Sequence, residues 1–301
     1  QRAINNFPVS NLKMPEAFIR ALLIAKYSAA KANKELKQLP NDIADSICKG
    51  VTKLLNDKNL MKNFPVDVFQ TGSGTSSNMN ANEVIAHIAS KEIKKKILPN
   101  DHVNCGQSSN DIIPSTIHIS AAIELNSKLL PSLKYLSSVT RSKAKKIKKY
   151  VKTGRTHLMD AMPISFSQSL ESWAEQIDLS ISRLKNLQLD LQTLAQGGTA
   201  VGTGINAHPK FAKAFTKFLS KETKLNFKPA KNFFSHIGSQ DIAVSLSSQL
   251  KTTAVSIMKI SNDLRWMNSG PLAGLGEIEL ETLQPGSSIM PGKVNPVIPE
   301  M

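Results

Sequence analysis

Apolar residues recur along most of this chain at helical rather than strand spacing. From Met14 to Leu39, Phe18, Leu22, Ile24 and Ala25 lie near a 3.6-residue repeat, and Pro15 suits a first turn, so this stretch predicts a helix. Asn41 or Asp42 is placed to cap a second helix running through Leu55. Val66 to Gln70 predicts only a brief extended piece. A polar Gly/Ser/Thr loop, Thr71 to Ser77, precedes a helix that starts between Asn78 and Asn82 and runs through Ile93. Ser108, Ser109 or Asn110 caps a helix continuing past Pro114. Ser115 to Tyr150 reads as helix, with Pro131 as a kink or break.

Two later stretches carry long stripes. In Ile164 to Gln196, Phe166, Leu170, Trp173, Ile177, Leu184, Leu187, Leu191 and Leu194 alternate steps of about four and three, with Ser180 at the polar position of the series. A short helix, Lys210 to Leu219, separates this stretch from His236 to Asn268. There Leu246, Leu250, Thr253, Ile257, Ile260, Leu264 and Met267 repeat the spacing. Helices roughly 45 Å long at 1.5 Å per residue cannot bury such stripes alone. The pattern predicts an all-α chain, a long-helix bundle with few strands.

Composition narrows this picture slightly. Of 301 residues, 41% are hydrophobic but only 5% aromatic, so the core must be aliphatic. No apolar run is long enough to cross a bilayer, and QRAINNFPVS is neither a signal nor an obvious transit peptide. Cys48 and Cys105 stand in unrelated contexts, without CxxC or a disulfide framework, which fits the cytoplasm or a mitochondrial matrix. No His/Cys/Asp cluster has metal-ligand spacing, and no cofactor is implied. The net charge of +15 comes mainly from lysines bunched at 91–97 and 141–150. Such a patch is compatible with nucleic acid. The scarcity of aromatics for base stacking favours a solvated face, or one that speeds encounter with a small dianion.

Four polar stretches carry candidate chemistry. Pro285 to Met301, PGSSIMPGKVNPVIPEM, makes a poor helix or strand but a plausible mobile loop with a new element after Pro296. Its glycines let backbone N–H groups approach an anion, Ser287 can exchange a proton, and Lys293 and Asn295 can grip a carboxylate. Gly72-Ser73-Gly74-Thr75 is the second stretch; the asparagines behind it are placed to form buried hydrogen bonds. Ser108 to Asn110 is the third, a helix start suited to an anion. The fourth is Thr153 to Phe166, a loop bounded by Gly154 and Pro163 with Thr156 and His157 inside. On the residues alone each also reads as an ordinary connector, linker, cap or structural histidine. GGTAVGTGIN, with Thr199 and Asn206, reads as architectural.

QTGSGTSSNMNANEV, VNCGQSSNDIIPSTIHIS, GRTHLMDA, GGTAVGTGIN and GSSIMPGKVNP resemble, in that order, the motifs of the fumarase/aspartase superfamily, class II fumarases most closely. The resemblance covers nearly the whole chain. It implies reversible hydration of fumarate to (S)-malate, a small dicarboxylate substrate, no metal, and neither nucleic acid nor membrane as partner. It also implies a homotetramer whose active sites are shared by three subunits. Ser287 would be the base and His157 the water-side group paired with Glu300; Lys293 would complete the catalytic set. Ser73, Thr75, Ser108, Ser109, Asn110, Thr156 and Asn295 would bind substrate. Against the family pattern, the chain is read as C-terminally truncated: an N-terminal mostly helical domain, 1–107, and an incomplete central bundle domain, 108–301. Leu98 stands where class II fumarases often carry a His of a secondary carboxylate site, which puts that site in doubt. His157 and Gly292 disfavour an aspartase-like ammonia lyase, which tends to have Gln and Ala there. A non-catalytic bundle protein of the same superfamily is the other alternative.

Overall fold

A computed structural model describes residues 2–301. It is 61% helical and 7% strand, so the all-α expectation holds. In chain order the helices are α1 (Arg2–Asn6), α2 (Glu16–Glu35), α3 (Asn41–Leu55), α4 (Thr75–Ile93), α5 (Ser109–Glu124) and α6 (Leu130–Lys146). A hairpin follows, β1 (Val151–Thr156) and β2 (Met159–Ser165), then α7 (Phe166–Leu191) and the two-residue β3 (Thr193–Leu194). After α8 (Phe211–Thr223) come β4 (Lys228–Pro229), α9 (Phe233–Gly238), α10 (Asp241–Met267) and α11 (Val297–Glu300). No helix among the described residues is long and apolar enough to cross a membrane. The chain divides into two compact units, Gln1–Lys128 with Asn186–Val244, and Leu129–Lys185 with Ser245–Met301.

The first unit is built around α2, which packs on α3, α5 and α8. Ala21, Ala25, Ala29, Ala30 and Ala32 are all buried along it, so neighbouring helices approach closely between the larger Ile19, Leu22 and Leu23. Ile47, Leu54, Ile85, Ile112, Ile119, Phe211 and Phe215 complete this core. The second helix starts as expected but is not capped by Asn41 or Asp42. Pro40 occupies the N-cap without a side-chain bond, and Asp42 pairs with Lys95 instead. α4 begins at Thr75, several residues before the expected start, directly after Gly74 in the left-handed region. β3 and β4 pair in parallel, so Leu194, expected at the end of the long helix, is a fully buried strand residue.

In the second unit Ala144, Leu170, Trp173 and Met267 form a core cluster, with Ile147, Phe166, Ile260, Leu264 and Ile278 packed against it. The expected break near Pro131 falls just ahead of it, in one π turn at Leu125–Leu129. Pro131 then sits in the first turn of α6, where its missing N–H is tolerated. The stripe of α7 is well covered: Leu170, Trp173, Ile177, Leu184 and Leu191 are buried. That of α10 is not. Thr253 and Met267 are buried, but Leu250 and Ile257 stay about 40% and 39% exposed. The residues before Asp241 form the separate short helix α9 rather than extending α10.

The expected loop at Thr153 to Phe166 is instead the β1–β2 hairpin. Thr156 faces Met159, leaving His157 and Leu158 as a two-residue turn, both at positive φ (52° and 65°). Such a turn matches the twist of the strands but usually carries Asn-Gly, and that signal is missing here. The register shifts between Thr153 and Arg155; at Gly154 a Cβ would lie 2.6 Å from the Met162 carbonyl oxygen. Only glycine fits that approach.

Candidate active site

The stretch at Ser108 is a complete helix start. Ser108 Oγ accepts from Asn110 N, and Asp111 Oδ1 accepts from Ser108 N at 2.9 Å, a reciprocal capping box. Asp111 is fully buried. Its other oxygen accepts from Gln196 Nε2, Gly197 N and Thr199 N at 2.9–3.0 Å. The glycine-rich turn read as architectural is therefore the far wall of this cap. Asn110 Nδ2 also reaches it, donating to the Ala200 carbonyl at 2.8 Å. Burial pushes the Asp111 carboxyl up; its hydrogen bonds and the charge of Lys26 oppose this. Four N–H donors converge on its oxygens, an arrangement that suits a carboxylate and not the acid.

Behind the cap lies a polar network. Lys26, fully buried in the middle of α2, donates from Nζ to Asn104 Oδ1 and Gln107 Oε1, both at 2.9 Å. Asn104 Oδ1 also accepts from Asn78 and Asn82 Nδ2 of α4 at 3.3 and 3.2 Å. Asn78 Nδ2 further donates to Ser109 Oγ at 3.0 Å. The asparagines behind the Gly72 stretch thus do form buried bonds, and they link it to the Ser108 stretch. Burial pushes the Lys26 ammonium down to about 7, with Asp111 pulling the other way. At the head of α4, Ser73 Oγ and Thr75 Oγ1 bond each other at 2.8 Å; Ser73 is exposed and Thr75 half-buried.

The second unit holds the other candidates. His157 is exposed at the hairpin tip beside Thr156. The hairpin is gripped lower down by Glu277, whose carboxylate meets Lys152 Nζ at 2.9 Å and Arg155 Nη1 at 2.7 Å. Burial works to raise this carboxyl, but hydrogen bonds and charge from both cations carry it below the usual range. Glu277 N donates to the Met267 carbonyl, so the grip is anchored to the end of α10.

The last stretch is a pinched loop. Pro285 and Val294 bridge antiparallel, and Gly286 N donates to the Lys293 carbonyl at 2.7 Å. Within it the Ile289 N–H donates to Ser287 Oγ at 3.3 Å. Asn295 lies over Gly286, where a Cβ would be 2.5 Å from its Oδ1. Ser287 and Asn295 are half-buried, and Lys293 and Glu300 are exposed. The expected element after Pro296 is α11. Its Glu300 lines a recess of about 490 Å³ with Asn262, Arg265 and Asn268.

Sequence reasoning singled out neither Lys26, Asn104 and Asp111 nor Glu277. Lys26 did leave a signal: it falls four residues after Leu22 and three after Leu23, on the buried face of an apolar helix. The distant partners of Asp111, Gln196, Gly197 and Thr199, lie 85–88 residues away and left none.

The chain matches the lyase family over residues 1–301. It is 63% identical over 300 residues to fumarate hydratase class II 2 of Pseudomonas aeruginosa, covering 100% of this chain and 65% of that protein. It is 45% identical over 303 residues to fumarate hydratase class II of Thermus thermophilus, covering 98% and 65%. The crystal structure of class II fumarase from Schistosoma mansoni superposes with a TM-score of 0.97 at 38% identity, covering 99% of this chain and 67% of that one. The chain thus spans about two thirds of the length of the relatives it matches, and by sequence and fold together it belongs to the lyase family.

Proposed function

We propose that the chain carries the site-bearing part of a class II fumarate hydratase, which adds water reversibly across fumarate to give (S)-malate. The observation that carries this is the 63% identity over 300 residues to fumarate hydratase class II 2 of Pseudomonas aeruginosa.

In the malate direction Ser287 removes the weakly acidic C3 proton next to a carboxylate. A serine hydroxyl is a poor base unless its alkoxide is stabilised. The Ile289 N–H already directed at Oγ and the nearby Lys293 charge supply that stabilisation. Negative charge builds on the carboxylate oxygens as the proton leaves, and Lys293, Asn295 and loop N–H groups meet it. His157, protonated and oriented by Glu300, then helps the C2 hydroxyl depart as water. Ser108, Ser109, Asn110, Ser73, Thr75 and Thr156 hold the carboxylates and the water.

The Ser108 stretch, the His157 stretch and the Ser287 loop come from different copies in a homotetramer. The exposed apolar residues of α10, Leu250, Val255, Ile257 and Met258, support such partners. The division into an N-terminal domain, 1–107, and a bundle domain from 108 onward, and a cytoplasmic location, belong to the same proposal.

The test is loss of fumarate absorbance by the complete protein, with and without ammonia. Ammonia-independent turnover that disappears in Ser287→Ala is expected. Turnover that requires ammonia overturns the reading.

A further inference from the structure

A lysine with no exposed surface has to be explained by what it holds. Lys26 Nζ is bonded to two side-chain carbonyls on the turn just before Ser108 and, among the described residues, to nothing outside that network. The turn is tied further by Asn104 Nδ2 to the Gln107 carbonyl and by Asn33 Nδ2 to the Cys105 carbonyl. Through Asn104 and Asn78 the same network reaches Ser109 and the helix that begins at Thr75. Among the described residues of this network Lys26 is the one cation. A fully buried carboxylate, Asp111, lies in the first turn of α5. Its charge opposes an incoming carboxylate at the very helix start offered to the substrate.

We propose that Lys26 is a positioning residue for the diacid: it fixes the 103–107 turn that presents Ser108–Asn110, and its charge offsets that of Asp111 behind them. The inference rests on the hydratase reading above and deepens it. Lys26 touches no substrate. It acts through the side chains that do, and so on ground-state affinity more than on the proton transfers.

The experiment compares the complete wild-type protein with Lys26→Gln, which keeps hydrogen bonding without the charge, and with Lys26→Met as a second uncharged variant should the first not fold. KM for fumarate and the inhibition constant of succinate, an unreactive diacid, are measured together with kcat below about pH 7, where folded Lys26 carries its charge. The expected result is a rise of about tenfold or more in both KM and the succinate constant, the worth of hydrogen bonds to a charged group. kcat should stay within about threefold, since uniform binding has been removed. Unchanged KM and succinate affinity in a folded variant overturn the inference, as does a fall in kcat with KM unmoved. No hydration by the wild type sinks the hydratase reading and this inference with it. Hydration by the wild type with an unchanged KM in the variant sinks this inference alone.

Discussion

Ser108–Asn110 and Ser287–Asn295 are both short polar stretches next to a helix start, yet they are held in opposite ways. The first is fixed from behind. Its capping box, the four donors on Asp111 and the Lys26–Asn104 network fill the space under it, and most of these groups are buried. The second is pinched at its base by the Pro285–Val294 bridge but is otherwise sparsely bonded, with Ser288, Lys293 and Glu300 exposed. The difference matches the roles proposed for them. A group that only binds gains affinity by being ordered in advance. A group that must close over a substrate and exclude water has to give up contacts when open.

The sharpest way to break this contrast is Asp111→Ala. It leaves four N–H donors without an acceptor and Lys26 without a nearby counter-charge. A loss of about 3–5 kcal/mol of folding stability, read from the denaturant midpoint, is expected. A loss below about 1 kcal/mol would mean the cap is not supported from beneath.

Ser287→Ala should behave the other way round. Hydration should slow by about 10²- to 10⁴-fold. The denaturant midpoint should stay within about 0.5 kcal/mol of wild type, because the side chain is only half-buried and accepts one long bond. A large loss of stability would put the loop in the same class as the cap.

Protonation offers a finer probe. Lys26 is held near 7 in the folded chain, against 10.5 for an ordinary lysine. Between those values the unfolded chain binds the extra proton. The stabilisation tied to Lys26 is therefore complete above about 10.5 and is lost as the pH falls through about 7. Denaturation of wild type and Lys26→Gln across that window should show the wild type gaining on the variant as pH rises. A difference that stays flat with pH would mean the lysine holds the same charge folded and unfolded.

The smallest effect separates two serines. Ser109→Ala removes one of the two acceptors of Asn78 Nδ2 and should cost about 1 kcal/mol. Ser288→Ala, exposed, should change stability by no more than about 0.5 kcal/mol. Equal effects in the two would erase the contrast at the level of single side chains.

What could be read from the sequence follows the range of the interactions. Helices α2 to α5 and the stripe of α7 are local patterns, and they were legible to within a few residues; α1 was not expected. So was the cap at Ser108, whose partner Asp111 is three positions on. The hairpin was not, because a His-Leu tip gives no turn signal and its strands alternate poorly between exposed and covered positions. The support beneath the cap was only half legible. The asparagines after Gly74 announced buried hydrogen bonds, but their meeting point, Asn104, lies 22–26 residues on, and the lysine that completes it lies 78 residues before Asn104. Family resemblance named the polar stretches, and their local bonding was then visible.

The His157–Leu158 tip carries one more consequence. Both residues sit in the small left-handed basin, and the pairing of Thr156 with Met159 on either side holds the backbone under the imidazole there. The ring therefore swings about its own two torsions while its base stays put. An orienting carboxylate that meets it has to quench only side-chain freedom, about 1 kcal/mol, rather than the far larger entropy of a wandering loop.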